Sequence, residues 1–361
     1  MAKFYPLKVT DIRKETNDCV SVAFEIPKEF KDYFRFIQGQ YVTLKIIIDG
    51  EELRRSYSIC SSPAADSEFR IASKKVTNGK VSNFLYDQLR TGDILEVMTP
   101  MGNFHAPLNP VEQRNYVLFA GGSGITPVFS IIKTVLNVEP KSRIILFYGN
   151  RDEDSIIFKK PLHDLEKKYP DRFKIHAVLE FPEVNTDDLF KGVMTVEKTE
   201  ILLKRFADVK SVSEFFICGP LPMMNNVKRA LENLGVAKES IHIEYFTTVL
   251  EDIAKAEKSE PPHKIPSLSS KITVILDGAE TSFELNSKGK SILDAAIEHD
   301  LDVPFACKGA VCCTCKAKLL EGKVDMDMNY ALTPNEVDKG YILTCQSHPI
   351  TEKIVVSYDE I

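Results

Sequence analysis

The sequence predicts a multidomain protein that joins an antiparallel β-barrel, an α/β domain with a parallel sheet and a smaller α+β domain. Its 361 residues exceed what one hydrophobic core usually organises. Short alternating or β-branched runs fill residues 1–108, whereas apolar runs alternate with helical patterns over residues 109–246. Residues 247–269 have the proline and charge content of a linker, and a segment that opens with the strand "ITVIL" occupies residues 270–361.

Composition and charge exclude several classes of protein. With 43% hydrophobic and 27% charged residues the chain is ordinary globular protein, and its formal net charge of -6 argues against nucleic-acid binding. The N-terminus lacks a signal-peptide pattern, and no run approaches the roughly 18 apolar residues of a membrane span. We therefore expect a cytoplasmic protein that binds neither nucleic acid nor membrane. In that reducing compartment, clustered cysteines indicate metal binding or catalysis rather than disulfides.

The predicted barrel contains two candidate cofactor segments. "RRSYSICSSP" places Arg55, Tyr57 and Ser58 on a strand, where an arginine can clamp a pyrophosphate and a tyrosine can lie against a ring. An ordinary barrel strand is the alternative. Downstream, "KKVTNGKVSNFLYDQL" turns at Gly79 into a helix that we expect Ser82 to cap, so that its N-terminus is available to a phosphate.

A glycine-rich turn opens the predicted α/β domain. In "YVLFAGGSGITPVFSIIK" an apolar strand ends at Gly121 and Gly122, Gly124 follows, and a helical pattern begins. Glycines allow a tight turn and the close approach of a pyrophosphate, which would lie at the positive end of the helix. We expect Thr126 to cap this helix and Pro127 to occupy its first position. Because the full G-x-G-x-x-G pattern is absent, a plain strand-to-helix connection is the alternative.

The next predicted strand ends where a dinucleotide fold places its ribose-reading residue. There, in "RIILFYGNRDEDS", Asn150 and Arg151 offer an amide and a cation that could meet a 2′-phosphate, which favours NADPH over NADH. The alternative is that Arg151 is a surface residue paired with Asp152, Glu153 or Asp154.

Four cysteines have the spacing of a plant-type two-iron two-sulfur site. Cys307, Cys312 and Cys315 lie in one short loop, and Cys345 follows at a distance. Cys313 lies between two of these ligands, and we expect it to point away from the cluster.

Small residues in the cysteine loop support the same interpretation. Gly309 and Ala310 would let backbone N–H groups approach the sulfurs, and such hydrogen bonds help to set the potential of a cluster. A four-cysteine zinc site is the alternative, although it usually pairs two short hairpins and leaves the single distant Cys345 less well explained.

The motifs together resemble a known family. "RSYS", "GKVS", "GGSGITP", "YGNR", "CGP" and "IHIEYF" occur in the order and spacing of the ferredoxin-NADP reductase superfamily. The appended cysteine segment makes the chain similar, over essentially its full length, to the reductases of multicomponent oxygenases. This resemblance implies an FAD-binding barrel, an NADP-binding α/β domain and a β-grasp ferredoxin domain that holds a 2Fe-2S cluster.

The resemblance also implies roles for individual residues. It assigns the flavin to Arg55, Ser56, Tyr57, Ser58, Lys80, Val81, Ser82 and Phe246. It assigns the nicotinamide nucleotide to Gly122, Ser123, Gly124, Ile125, Thr126, Asn150, Arg151, Gly219 and Pro220. Ser58, Cys218 and Glu244 match the polar trio at the hydride-transfer site, and Cys307, Cys312, Cys315 and Cys345 match the cluster ligands.

The expected function is electron transfer from NADPH, with NADH possible, through FAD and the cluster to an oxygenase. The segment that begins at "CKGAVCCTC" resembles, more narrowly, reductases that serve phenylacetyl-CoA epoxidase in phenylacetate catabolism. A Rieske ring-hydroxylating oxygenase or a desaturase is the alternative acceptor. A zinc-stabilised, nucleotide-sensing interaction module is a more distant alternative.

Overall fold

The structure is a computed structural model that describes residues 3–246 and 267–360. Most of the predicted linker, 247–269, therefore lies outside the described residues. Two compact units are present. One contains Pro6–Leu53 and Tyr57–Glu244, and the other contains Arg54–Ser56 together with the residues from Tyr245 onward.

The first sheet is antiparallel and closes into a barrel, as the alternating pattern predicts. Its strands are β1 (Phe4–Thr16), β2 (Cys19–Glu25), β3 (Tyr41–Ile48), β4 (Glu51–Ser58), β5 (Phe69–Lys74) and β6 (Ile94–Met98). Among the described residues their order is β4-β3-β6-β1-β2-β5. A bridge between Ile59, just after β4, and Ile71 of β5 joins the two ends of this order. Alternate residues of β1, including Leu7 and Val9, are buried in the barrel core.

The second sheet is parallel, as the alternation of apolar runs and helical patterns predicts. Its strands are β7 (Asn115–Gly121), β8 (Arg143–Asn150), β9 (Phe173–Leu179), β10 (Val212–Cys218) and β11 (Ile241–Glu244). The order is β11-β10-β7-β8-β9, and each neighbouring pair is parallel. The strand order therefore reverses between β7 and β10, which creates a topological switch point there.

The third sheet is mixed and has the β-grasp arrangement expected of a ferredoxin domain. Its strands, with those of a short ribbon, are β12 (Ser269–Leu276), β13 (Ala279–Asn286), β14 (Lys316–Glu321), β15 (Val324–Met326), β16 (Tyr341–Leu343), β17 (Ser347–Pro349) and β18 (Lys353–Ser357). The order is β13-β12-β18-β14-β16, with β12 and β18 parallel, and β15 pairs with β17. The hydrophobic core of this domain includes Cys315 and Cys345, so the cysteine loop packs against that core.

Helices connect these strands, and several begin at residues that cap them. The helices are α1 (Lys80–Asp87), α2 (Ile125–Val138), α3 (Lys159–Lys168), α4 (Val196–Phe206), α5 (Leu221–Asn233), α6 (Ile292–Glu298) and α7 (Pro334–Asp338). The side chains of Thr195, Ser291 and Thr333 accept hydrogen bonds from backbone N–H groups of α4, α6 and α7. Within residues 3–246 and 267–360, no helix is long and apolar enough to span a membrane.

Candidate functional site

Two loops meet at the switch point of the parallel sheet. One is the turn Gly121–Gly124 after β7, and the other is Gly219 with Pro220 after β10. A Cβ atom on Gly124 would lie 2.0 Å from the carbonyl oxygen of Cys218, and one on Gly219 would lie 2.9 Å from the backbone nitrogen of Gly121. The two backbones therefore pack directly against each other, which explains the glycines. Ligands of open α/β sheets bind in the crevice at such a point.

The positive end of α2 faces this crevice, but its capping differs from the prediction. The helix begins at Ile125, directly after a turn of 3₁₀-helix over Gly122–Gly124, and no side chain caps it. Thr126 and Pro127 lie at its second and third positions, so both position-specific predictions were wrong. The Thr126 hydroxyl instead donates to the carbonyl oxygen of Ser123 at 2.9 Å, which stabilises the turn from inside the helix.

Tyr148 is a residue of this site that was not predicted from the sequence. It lies on β8 and is buried, and its hydroxyl donates to the carbonyl oxygen of Gly122 at 3.0 Å. Gly122 itself has φ +50°, and a Cβ there would meet no atom within 4 Å. The Tyr148 hydroxyl thus holds the turn from the side of the sheet, while the space at the Cβ position of Gly122 stays open. The available signal was a hydroxyl-bearing residue two positions before Asn150 in an otherwise apolar run.

Asn150 has the properties expected of a residue that binds a polar ligand. It ends β8 and is 7% exposed, and its amide lies beside the Tyr148 hydroxyl, on which it acts as a hydrogen-bond donor. An amide nitrogen carries two N–H groups, so one remains to donate to a ligand oxygen at this end of the strand. A nicotinamide nucleotide supplies such oxygens on its ribose and phosphates.

Arg151 is exposed and already has one carboxylate partner. Its Nε atom lies 2.9 Å from Oδ2 of Asp152, and 63% of its side chain is exposed. Asp152 also accepts a hydrogen bond from the backbone of Ser155, which fixes the carboxylate. The pairing that was the alternative interpretation of Arg151 is therefore present, and the guanidinium also remains accessible to a phosphate.

The predicted flavin strand presents a graded series of side chains. On β4, Arg55 is exposed, Ser56 and Tyr57 are half-buried and Ser58 is buried. A guanidinium nitrogen of Arg55 donates to the carbonyl oxygen of Arg54 at 2.8 Å, which holds the side chain along the strand. Exposed cationic and half-buried aromatic groups on one strand would suit a flavin nucleotide, which carries both phosphates and an aromatic ring.

Buried hydrogen bonds connect the segment after β4 to α2. The Ser130 hydroxyl donates to the carbonyl oxygen of Ser61 at 2.6 Å, and the hydroxyls of Ser62 and Thr134 lie 2.8 Å apart. These partners are far apart in sequence, so no local pattern identifies them. They fix the end of the flavin strand relative to the helix that begins at the glycine turn.

The first turn of α1 carries the other predicted flavin residues. Val81 and Ser82 are buried, whereas Lys80 is exposed and forms an ion pair with Glu51. The helix starts at Lys80 with Gly79 as its cap, so the prediction that Ser82 caps it was wrong. The Ser82 hydroxyl donates back to the carbonyl oxygen of Gly79 at 3.4 Å.

Cys218 and Glu244 end adjacent strands at the carboxyl edge of the parallel sheet. They are paired in the register of β10 and β11. Burial raises the pKa of the Cys218 thiol well above its usual range, and the neighbouring Glu244 carboxylate raises it further. The thiol is therefore protonated at neutral pH and is not a nucleophile. Ser58, the third member of the predicted trio, is buried on β4, and Phe246 lies two residues beyond the end of β11.

The four predicted cluster ligands form two pairs. The Sγ atoms of Cys307 and Cys312 lie 3.1 Å apart, well beyond a disulfide bond, and Cys315 is hydrogen-bonded to Cys345. These hydrogen bonds lower the pKa of Cys307 and of Cys345, since each sulfur accepts from its partner thiol. Two close pairs of thiols fit a cluster of two irons, each of which takes two protein sulfurs.

Backbone groups around the loop point at these sulfurs, as the small residues predict. The N–H of Gly309 donates to Sγ of Cys307 at 3.3 Å, and the N–H of Ala310 donates to the sulfur of Cys345. Cys313 behaves differently. Its thiol donates to the carbonyl oxygen of Ala331 at 3.3 Å and packs in the domain core.

Comparison with family models identifies all three parts of the chain. Residues 6–106 match the oxidoreductase FAD-binding domain, residues 118–229 the oxidoreductase NAD-binding domain and residues 274–349 the 2Fe-2S iron-sulfur cluster binding domain. The last match favours the iron-sulfur site over zinc.

Several curated proteins are similar along their full lengths. A subunit of the 1,2-phenylacetyl-CoA epoxidase of Escherichia coli K12 is 40% identical, over 99% of both chains. The ferredoxin reductase component of 3-ketosteroid-9-alpha-monooxygenase from Rhodococcus rhodochrous is 33% identical, over 98% of this chain and 96% of its own. The reductase subunit of glycine betaine monooxygenase from Pseudomonas aeruginosa PAO1 is also 33% identical, over 98% and 94%.

Solved structures share the fold at lower identity. Phthalate dioxygenase reductase has a TM-score of 0.57 and 23% identity, with 98% of both chains covered. An intact type IV self-sufficient cytochrome P450 monooxygenase has a TM-score of 0.70 and 20% identity, covering 98% of this chain and 41% of that one.

Proposed function

The chain belongs to the family of oxygenase reductases that join an FAD-binding, an NAD-binding and a 2Fe-2S domain, and from this premise we propose that it serves a phenylacetyl-CoA epoxidase. The observation that carries this proposal is the 40% identity to a subunit of that epoxidase, over 99% of both chains. Two relatives from other monooxygenase systems are each 33% identical.

The chemistry of the reaction belongs to the bound groups. When bound, the nicotinamide nucleotide would supply a hydride donor, FAD a carrier that exchanges electrons in pairs or singly, and the 2Fe-2S cluster a carrier of single electrons toward the oxygenase. The protein therefore has to bind, align and insulate these groups.

We assign the nucleotide to the crevice between β7 and β10. The N-terminus of α2 and the turn Gly122–Gly124 would hold the pyrophosphate, because backbone N–H groups and the helix dipole favour an anion there. The second N–H of the Asn150 amide would donate to the ribose or phosphate. The neutral Cys218 thiol and Glu244 would line the nicotinamide position. A thiolate there would be a nucleophile and would compete with the flavin for reaction with the nicotinamide ring.

We assign the flavin to β4 and the first turn of α1. Arg55 and Lys80 offer cations for the phosphates, Tyr57 offers a ring face for stacking and Ser58 a buried hydroxyl. The hydrogen bonds of Ser61 and Ser62 to α2 would keep this strand aligned with the nucleotide crevice.

A reducing cytoplasm suits the cysteine chemistry of the protein. All eight cysteines are free, and none but Cys307 is even partly exposed. The cluster ligands must remain thiolates, which an oxidising compartment would not favour.

We propose NADPH as the preferred nucleotide and expect Arg151→Ala to weaken NADPH far more than NADH. A guanidinium that bonds a 2′-phosphate contributes only to the phosphorylated nucleotide, and such a charged hydrogen bond corresponds to about a tenfold effect or more. Steady-state kinetics with each nucleotide should show kcat/KM for NADPH falling by about that factor while the value for NADH changes little. Arg143→Ala is the matched control, since Arg143 is exposed at the opposite end of β8. Equal losses with both nucleotides would contradict NADPH preference.

Reconstitution tests the proposed acceptor. The protein is mixed with NADPH, oxygen and either a phenylacetyl-CoA epoxidase oxygenase, a Rieske ring-hydroxylating oxygenase or a desaturase, and product formation is measured. We expect turnover with the epoxidase and none when the Cys345→Ser variant replaces the wild type. Turnover with one of the other oxygenases alone would remove the epoxidase assignment and leave the reductase chemistry intact.

A further inference from the structure

The side chain of Gln346 lies against the cysteine loop and is not among the predicted site residues. Gln346 follows Cys345 and is 6% exposed. Its Nε2 atom donates to the carbonyl oxygen of Lys308 at 3.2 Å and to that of Cys345 at 3.0 Å, and it lies 3.7 Å from Sγ of Cys345. One buried amide therefore contacts both a ligand sulfur and the loop that carries the other three ligands.

The contact with Lys308 supports a strained point of the loop. Lys308 has φ +52°, a left-handed conformation that is unfavourable for a residue other than glycine. This conformation turns the chain so that the next N–H, that of Gly309, reaches the sulfur of Cys307. The hydrogen bond from Gln346 holds the carbonyl group of Lys308 in this orientation across 38 residues of sequence.

The amide of Gln346 has two N–H groups. One bonds to the carbonyl oxygen of Lys308, and the other is shared between the carbonyl oxygen of Cys345 and its Sγ atom, which adds a side-chain donor to the backbone donors of the site. The N–H groups of Gly309 and Ala310 already point at the sulfurs of Cys307 and Cys345. N–H donors stabilise negative charge on ligand sulfurs, and reduction adds one negative charge to the cluster. Such donors therefore raise the reduction potential. A substitution cannot remove a backbone donor without distorting the loop, but it can remove the amide of Gln346.

We propose that Gln346 is a positioning residue of the cluster site, which holds the loop through Lys308 and raises the reduction potential of the cluster through its N–H···S bond to Cys345. This inference depends on the 2Fe-2S cluster and is independent of which oxygenase accepts the electron.

The first test is a potentiometric titration of the full-length protein, with the reduced cluster followed by EPR. Gln346→Leu keeps the volume but removes the donor, and Gln346→Glu also adds negative charge. We expect the ratio of reduced to oxidised cluster at a fixed potential to fall about tenfold in Gln346→Leu, a shift of about 59 mV for a one-electron couple, and further in Gln346→Glu. The control Asn335→Leu, at an exposed amide of the same domain, should not move the potential. A wild-type potential in both Gln346 variants would overturn the proposal.

A second measurement tests the N–H···S bond in the wild-type protein, and it applies even if the variants do not retain a cluster. Gln346 is the only glutamine between residues 267 and 361, so protein labelled with ¹⁵N in glutamine side chains carries one label in this domain. Pulsed EPR of the reduced wild-type protein should detect a ¹⁵N hyperfine coupling from this amide. Absence of that coupling would refute the N–H···S bond whatever the variants do.

Discussion

Replacing Cys345 with serine is expected to abolish the 2Fe-2S cluster while NADPH still reduces the flavin. Cys345 forms the second thiol pair with Cys315, so its loss leaves one iron with a single protein sulfur. The residues assigned to hydride transfer, Ser58, Cys218 and Glu244, belong to the other compact unit. The defect should therefore affect the exit of electrons and not their entry.

Two measurements check this expectation. Visible absorption should show the flavin without the cluster bands, and stopped-flow mixing with NADPH should bleach the flavin at the wild-type rate, whereas electron delivery to the oxygenase should fall to background. Cys313→Ser is the matched control, because the Cys313 thiol bonds to the carbonyl oxygen of Ala331 and packs in the core. That variant should keep its cluster. If flavin bleaching disappears in Cys345→Ser, or if Cys313→Ser alone loses the cluster, the assignment of ligands and of separate functions is wrong.

The features that the sequence predicted correctly are those encoded by local spacing. Cys307 and Cys312 lie in one short loop, so its local conformation brings their sulfurs to 3.1 Å, and the small residues between them indicate where N–H groups approach. Strand and helix periodicity likewise predicted the barrel and the parallel sheet. The cysteine spacing and the periodicity predict structure reliably because both depend on residues that are close in the chain.

The features that the sequence did not predict depend on contacts between distant residues. The caps assigned to Ser82 and Thr126 were wrong because each helix begins before the hydroxyl, and nothing local to the sequence fixes where the preceding turn ends. Tyr148 was missed because a tyrosine in an apolar strand looks like an ordinary core residue until the strand order places it under Gly122. Gln346 was missed because its contact with Lys308 joins two residues that are 38 positions apart in the sequence.

Gly124→Ala is expected to have the second large effect, on the entry of electrons. The new Cβ atom would lie 2.0 Å from the carbonyl oxygen of Cys218 and 2.8 Å from the backbone nitrogen of Gly219, and neither backbone can move aside cheaply. Overpacking of this kind lowers the free energy of unfolding by about 1–3 kcal/mol. Relief of the clash must separate the glycine turn from the loop after β10, which would displace the bound nucleotide. Misplacement of reacting groups by about 1 Å can slow a reaction about 100-fold.

The comparison that isolates this contact is with Gly235→Ala. Gly235 has φ +73°, but its Cβ would meet no atom within 4 Å, so alanine there costs about 1 kcal/mol of backbone strain and creates no clash. Stopped-flow reduction of the flavin by NADPH should slow about 100-fold in Gly124→Ala and stay at the wild-type rate in Gly235→Ala, while chemically reduced flavin should still pass electrons to the cluster in both. Wild-type flavin reduction in Gly124→Ala would show that the nucleotide does not use this crevice. Since the atoms that the new Cβ would meet are backbone atoms of Cys218 and Gly219, which no substitution removes, a compensating substitution elsewhere should not restore the rate.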